Sequence, residues 1–179
     1  MKKLMAVIVL ATAVGLWATS AFASGYASLD GNDSQVSVGA GGIFLSGNDA
    51  AGGSETDFLP TVNVSGLAQD WEWQVFYAFG SGENVFGGNV DYILASSFDN
   101  CATCQNSDGN WWFGVGPTVV SLSSVLQDAA GANGVSGTDW GGNLGFGWTS
   151  NDWSFDLFAH YLVDNQVWAG QASINYNFN

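Results

Sequence analysis

Few residues in this 179-residue chain carry chemistry, and their spacing limits what each can do. Cys101 and Cys104 form a CxxC within a polar stretch, Asp99 to Asn110. In an oxidising compartment such a pair reads as a small disulfide pinning a loop. A redox pair is the alternative reading, but nothing nearby resembles the helix N-terminus that would activate a thiol. Residue 105 is Gln, so the CxxCH pattern of covalent haem attachment is missing. There is no second CxxC to complete a metal site, and no cofactor is expected.

His160 is the sole histidine. Asp156 points the same way on an extended strand, but four residues separate them by about 13 Å. A partner for His160 must come from a neighbouring strand, with Asp139 and Gln171 as candidates. The plainer reading is a polar residue filling an interior. Glu72, Asp91, Asp139 and Asp156 are the acids expected to face inward. With no base beside them they must share protons, water or cations, so a cation-binding or cation-conducting interior is one reading and a solvated but plugged one the other. Asp30 to Asp33 and Gly47 to Asp49 contain fragments of calcium-loop sequence. Neither has the full spacing, so they read first as turns, with weak divalent-cation binding at acidic loops as the functional alternative.

The charge balance is lopsided. Residues 1–23 have a positive start (Lys2, Lys3), an apolar run from Leu4 to Trp17, and a small-x-small site at Ala21 to Ala23. These features predict a secretory signal peptide, leaving 24–179 as a single domain. Both basic residues lie in that signal, so its removal takes the formal charge from −14 to −16. Nucleic acid is excluded as a partner, because phosphate neutralisation needs Lys or Arg. Eight of the nine tryptophans lie beyond the signal, a composition that does not fit disorder. After Ala23 no apolar run is long enough for a membrane helix.

The elements that position these residues are strands. Trp71 to Phe79 (WEWQVFYAF) puts Trp71, Trp73, Val75, Tyr77 and Phe79 on one face. Glu72, Gln74 and Ala78 lie on the other, with Phe76 the large apolar exception. Similar alternation predicts strands over 35–45, 58–68, 85–98, 112–122, 138–149, 153–163 and 166–178. The faces of 112–122 are ambiguous. These strands mostly run about 10–13 residues, nearer the 9–11 of a tilted membrane strand than the 5–6 typical of soluble domains.

Aromatic residues cluster at strand ends. Trp71, Trp148, Trp153 and Phe178 fall at one end, and Trp140 and Trp168 at the other. Two such belts match the two interfaces of a bilayer. The opposite face is mostly Gly, Ser, Asn, Gln and Asp, which would fill a narrow interior. Tight turns are expected at 69–70 and 150–152, and long loops at 46–57 and 123–137. The connection holding the cysteines is long yet falls on the tight-turn side.

The cleavable signal, the eight alternating strands and the final Ile174 to Phe178 together resemble the small outer-membrane β-barrels of the OmpA-barrel, OmpX and OmpW kind. The resemblance is architectural and covers residues 24–179. It implies an all-β, eight-stranded, antiparallel up-and-down transmembrane barrel in the outer membrane, with outer-membrane lipid and the membrane-insertion machinery as partners. One departure is Asn179, which follows the terminal aromatic Phe178. The expected role is a non-enzymatic structural or surface protein of the envelope. The alternatives are a narrow cation-preferring pore or small-solute transporter, and a secreted soluble β-sandwich that binds a ligand. Oligomeric state is left open.

Overall fold

Eight strands follow one another around a single closed sheet. The computed structural model describes residues 34–68, 70–80, 82–97, 109–127, 131, 133–150 and 152–178. The expected signal peptide, the Asp30 to Asp33 stretch and both cysteines lie outside these residues. The strands are β1 (Ser34–Asn48), β2 (Ser54–Ala68), β3 (Trp71–Phe79), β4 (Asn84–Ser96), β5 (Asn110–Val125), β6 (Val135–Thr149), β7 (Trp153–Leu162) and β8 (Val167–Phe178). Each pairs antiparallel with its sequence neighbour, and β8 closes on β1 from Val36↔Phe178 to Ser46↔Trp168. Closure satisfies strand edges that an open sheet would leave bare. It also rules out the β-sandwich alternative, which needs two separate sheets.

We call the end holding the turn at 150–152 the lower end, and the opposite end the upper. Strand count and pairing place the connection between Ser96 and Asn110 at the lower end, so the long connection there is real. At the upper end the strands extend further than their sequences suggest. Pairs such as Ser46↔Thr56, Asn48↔Ser54 and Val125↔Val135 continue the ladders. The expected loops at 46–57 and 123–137 shrink to 49–53 and 126–134. A bulge between Leu122 and Val125 lets β5 curl inward there. It brings Leu126, at φ 55°, over the upper opening.

The ambiguity of β5 resolves into strict alternation. Trp111, Phe113 and Val119 are exposed, whereas Trp112, Val120 and Leu122 are buried. Both faces are apolar because the interior is not uniformly polar. The expectation of a small, polar filling holds only for the lower half. The upper half is packed by Ile43, Leu45, Leu59, Phe76, Val85, Leu122, Leu126, Leu162 and Val167, among others. A smaller apolar group of Leu67, Ile93, Trp112 and Phe158 lies within the lower half.

Candidate functional site

The lower interior is a hydrogen-bonded set of amides, hydroxyls and acids from inward positions of β1, β2, β3, β4, β6, β7 and β8. Its links cross strands because glycine removes the side chain between them. Gly39 on β1 pairs with Asn63 on one side and Asn175 on the other. Asn63 Nδ2 donates to Asn175 Oδ1 at 2.7 Å across that gap. A Cβ on Gly39 would fall 1.7 Å from the same oxygen. Asn175 Nδ2 in turn donates to Asp156 Oδ2 at 2.5 Å and Ser154 Oγ at 3.3 Å. Below this, Ser37 Oγ donates to Asn177 Oδ1 at 2.7 Å, Asn177 Nδ2 reaches Thr149 Oγ1 at 3.2 Å, and Thr149 Oγ1 meets Gln35 Oε1 at 3.1 Å. Above it, Gln171 Nε2 donates to Gln74 Oε1 at 2.8 Å.

Glu72 and Asp91 sit opposite each other on β3 and β4. Asn89 Nδ2 donates to both, at 3.2 Å to Glu72 and 2.9 Å to Asp91. Asn143, on β6, donates to Asp91 at 2.8 Å. This second link passes over Gly116, whose register partner on β6 is Asn143.

The five inward candidates therefore do not form one site. Glu72, Asp91 and Asp156 are buried in the polar network. Asp139 is equally buried, but its carboxylate accepts from the backbone amides of Trp140, Asp164 and Asn165 and from Asn165 Nδ2. It caps the β7–β8 turn at the upper end. His160 faces Asn143 and Ala169 in register, with Gln171 as a diagonal polar neighbour. Its ring lies 5.8 Å from Phe158 and 6.0 Å from Phe76, at the border between the two halves of the interior. Neither ring nitrogen makes a hydrogen bond. Among the described residues, no nucleophile, base and orienting acid come together around it.

The ambiguous faces of 112–122 left Trp112 unassigned; it is 2% exposed, inside the barrel. Its indole lies over Gly147, where a Cβ would fall 2.0 Å from Nε1. The paired glycines at 145 and 147, inward on β6, were the available sign of a large side chain opposite.

The exterior is apolar around its whole girth. Trp71, Trp140, Trp148, Trp153, Trp168 and Phe178 all point outward and are 40–61% exposed. On four strands, outward aromatics are eight residues apart: Trp71–Phe79, Trp140–Trp148, Trp153–Tyr161 and Trp168–Tyr176. At about 3.4 Å per residue and a tilt near 40°, that is roughly 21 Å along the barrel axis. The aromatics also pack across strands, with Trp71–Tyr92 at 5.3 Å, Trp153–Tyr176 at 5.4 Å and Tyr161–Trp168 at 4.7 Å.

This chain is an eight-stranded barrel of the small up-and-down kind. No protein-family model matches the sequence, and no curated protein matches it. Among solved structures, it is similar to the N-terminal β-barrel domain of Pseudomonas aeruginosa OprF, at TM-score 0.48 and 13% identity, over 82% of this chain and 98% of that one. It is similar to Ail, the attachment invasion locus protein of Yersinia pestis, at 0.44 and 14%, over 82% and 99%. Neisserial surface protein A aligns at 0.43 and 14%, over 79% and 95%.

Proposed function

We propose that the chain is a non-enzymatic structural barrel of the outer membrane whose lumen does not conduct. The observation that supports membrane insertion is the pair of aromatic girdles bounding an apolar exterior. Their separation of roughly 21 Å is close to the apolar band of about 25 Å on known barrels. Water is a poor solvent for that surface, and lipid a good one. The reading without conduction rests on the upper half of the interior. Leu126 and Val125, both fully buried, close it together with Phe76, Leu122 and Val167. An ion crossing this layer would exchange its hydration for a mostly aliphatic and aromatic lining. The acidic lower half attracts cations but leads into the apolar layer.

The upper surface is then the part that faces partners outside the cell. It is compact: Ala50 N donates to Asn133 O at 2.8 Å, and Leu126 N donates to the Asp57 carboxylate. A polar cleft of about 680 Å³ runs between Asn48, Asp49, Gly134, Asp164 and Gln166. One Asp49 oxygen is occupied by its own turn, accepting from Ala51 N and Gly53 N at 2.8 and 2.7 Å. Outward Ile174, Tyr176 and Phe178 on the closing strand suit recognition by the insertion machinery.

The test has two parts. Refolded protein should float with lipid vesicles and migrate faster on SDS gels when unheated. In planar bilayers it should produce no steady channels. Failure to float would remove the membrane reading, and reproducible cation-selective steps would replace the plugged barrel with a pore.

A further inference from the structure

The strands differ in height at the upper end. β1 and β2 pair as far as Asn48↔Ser54, whereas the β2–β3 ladder ends at Thr61↔Ala78. Residues Ser54 to Pro60 therefore rise above β3 with a neighbouring strand on one side only. Pro60 tells which backbone groups are bare. The β1–β2 ladder runs unbroken through Gly42↔Pro60, and the β2–β3 ladder stops one residue short of it. Proline has no N–H, so its nitrogen belongs to the side facing β3. Backbone N–H and C=O groups alternate sides along a strand, so Phe58, Thr56 and Ser54 present theirs on that same side. Among the described residues, none of these groups has a hydrogen-bond partner.

Such an edge is a template for one more strand. The side chains along it decide which strand. Ser54, Thr56 and Phe58 are exposed on the outer side. Glu55 and Asp57 alternate with them on the side of the barrel mouth, where the Asp57 carboxylate accepts from Leu126 N. Glu83 stands at the foot of the edge, close enough to feel the Asp57 charge. Residues 4–179 contain no Lys or Arg to neutralise these acids. A second copy of this chain is a poor fit, because pairing two such edges would set Glu55 and Asp57 against their counterparts. The acids and Pro60 thus guard the edge against its own kind and leave it open to a strand of opposite charge.

We propose that the bare edge of β2, from Ser54 to Leu59, takes up an extended basic segment of a partner protein by strand addition. The N–H and C=O groups of Ser54, Thr56 and Phe58 bind the main chain of that segment. Lys or Arg at its alternate positions lie over the barrel mouth as cross-strand neighbours of Glu55 and Asp57. The main chain supplies affinity and the alternation of charge supplies specificity. The partner's location outside the cell rests on the reading of the upper end as the outward one. The edge itself does not depend on that reading, nor on whether the lumen conducts.

The experiment is fluorescence anisotropy of a labelled peptide alternating Thr and Lys, titrated with the barrel refolded in detergent micelles. Gel mobility confirms folding in every sample, so lost binding is distinct from a lost barrel. The expected result is saturable binding of one peptide per chain, weakened by salt and absent for a peptide alternating Thr and Glu. T56P removes an N–H from the bare side and none from the ladder with β1, and should weaken binding about tenfold. E55Q should weaken it about two- to fivefold, whereas D164N, at the cleft across the upper rim, should bind as wild type. On wild-type protein, N-methylating the Thr amides of the peptide, which face β2, should abolish binding, and N-methylating the Lys amides should spare it. That comparison decides the matter even if T56P does not fold. Binding that ignores T56P and the position of the methyl groups, or that D164N abolishes, would reduce the effect to diffuse attraction between charges and overturn the site. So would the absence of saturable binding, or dimers of the chain that T56P dissociates, which would give the edge to a second copy.

Discussion

The two halves of the barrel interior solve the same packing problem with opposite chemistry. Both are lined by alternate residues of the same eight strands, and both are sealed from solvent. The upper half uses Ile43, Leu59, Phe76, Leu122 and Leu162, which need only be the right size. The lower half uses Asn63, Asn89, Asn143, Asn175 and Gln74, which must also meet one another at hydrogen-bonding distance. The border crosses single strands: on β3, Glu72 and Gln74 are polar and Phe76 and Ala78 are apolar. Polar filling stabilises only when satisfied, whereas apolar filling tolerates no polar atom at all. The two halves should therefore fail in different ways.

The largest expected effect comes from placing the chemistry of one half in the other. Leu122, 3% exposed, lies in the apolar layer beside Val85, its register partner. Leu122→Asp would bury a carboxylate with no amide donor and no base. An uncompensated buried charge costs about 3–5 kcal/mol. The unheated fast-migrating form should vanish at urea concentrations the wild type survives. Leu122→Met, which conserves volume, should stay within about 1.5 kcal/mol. Equal effects from the two variants would mean that the upper layer tolerates charge, and the contrast between the halves would be lost.

The lower half invites a finer test. Asn175→Ala removes the amide that joins Asn63, Ser154 and Asp156, and should cost about 1–3 kcal/mol through the groups left unpaired. Gly39→Ala should cost a similar amount by driving a methyl group into the same amide. Because both act on one contact, the double variant should be markedly less unstable than the sum, with a coupling of about 0.5–3 kcal/mol in urea titrations. Simple additivity would show that Gly39 is needed for its backbone alone.

These contrasts explain how much could be read from the sequence. Alternation in Trp140 to Trp148 and Trp168 to Phe178 reveals strands, their outward faces and their number, because lipid-facing and interior residues differ sharply there. It misleads in β5, where Trp111, Phe113 and Val119 face out while Trp112, Val120 and Leu122 face in, so both faces read as apolar. Upper loop lengths were overestimated because Ser46, Gly47, Asn48, Ser54 and Thr56 have turn-like composition yet pair in register. The polar network was the least legible part. Asn63 and Asn175 are 112 residues apart and meet only because β8 closes on β1 with glycine between them. Inward orientation of Glu72, Asp91 and Asp156 follows from period two, but which amide serves which acid depends on register. Asp139 shows the limit of that reasoning: its alternation is inward, yet its carboxylate belongs to a turn.

The smallest effect separates an acid at the rim from the acids inside. Glu83 precedes β4 in the upper turn, where its backbone oxygen accepts from Gly80 N at 2.8 Å. A Cβ on Gly80 would lie 2.7 Å from Leu59 Cδ2 and 3.2 Å from Glu83 Oε2, so the carboxyl sits at the edge of the apolar layer. Partial burial, and then the Asp57 carboxylate, push Glu83 above the ordinary glutamate range. The folded barrel therefore holds this proton more tightly than the unfolded chain. Stability from the protonated form is fully present below about pH 4, the unfolded value, and is lost as pH rises through the folded value. Glu83→Gln keeps the shape and removes the charge. Urea midpoints of variant and wild type should coincide at low pH and separate slightly in favour of the variant near neutrality, the gap shrinking in high salt because the group reaches solvent. A gap that is the same at every pH would assign the effect to packing over Leu59 and remove electrostatics from the rim.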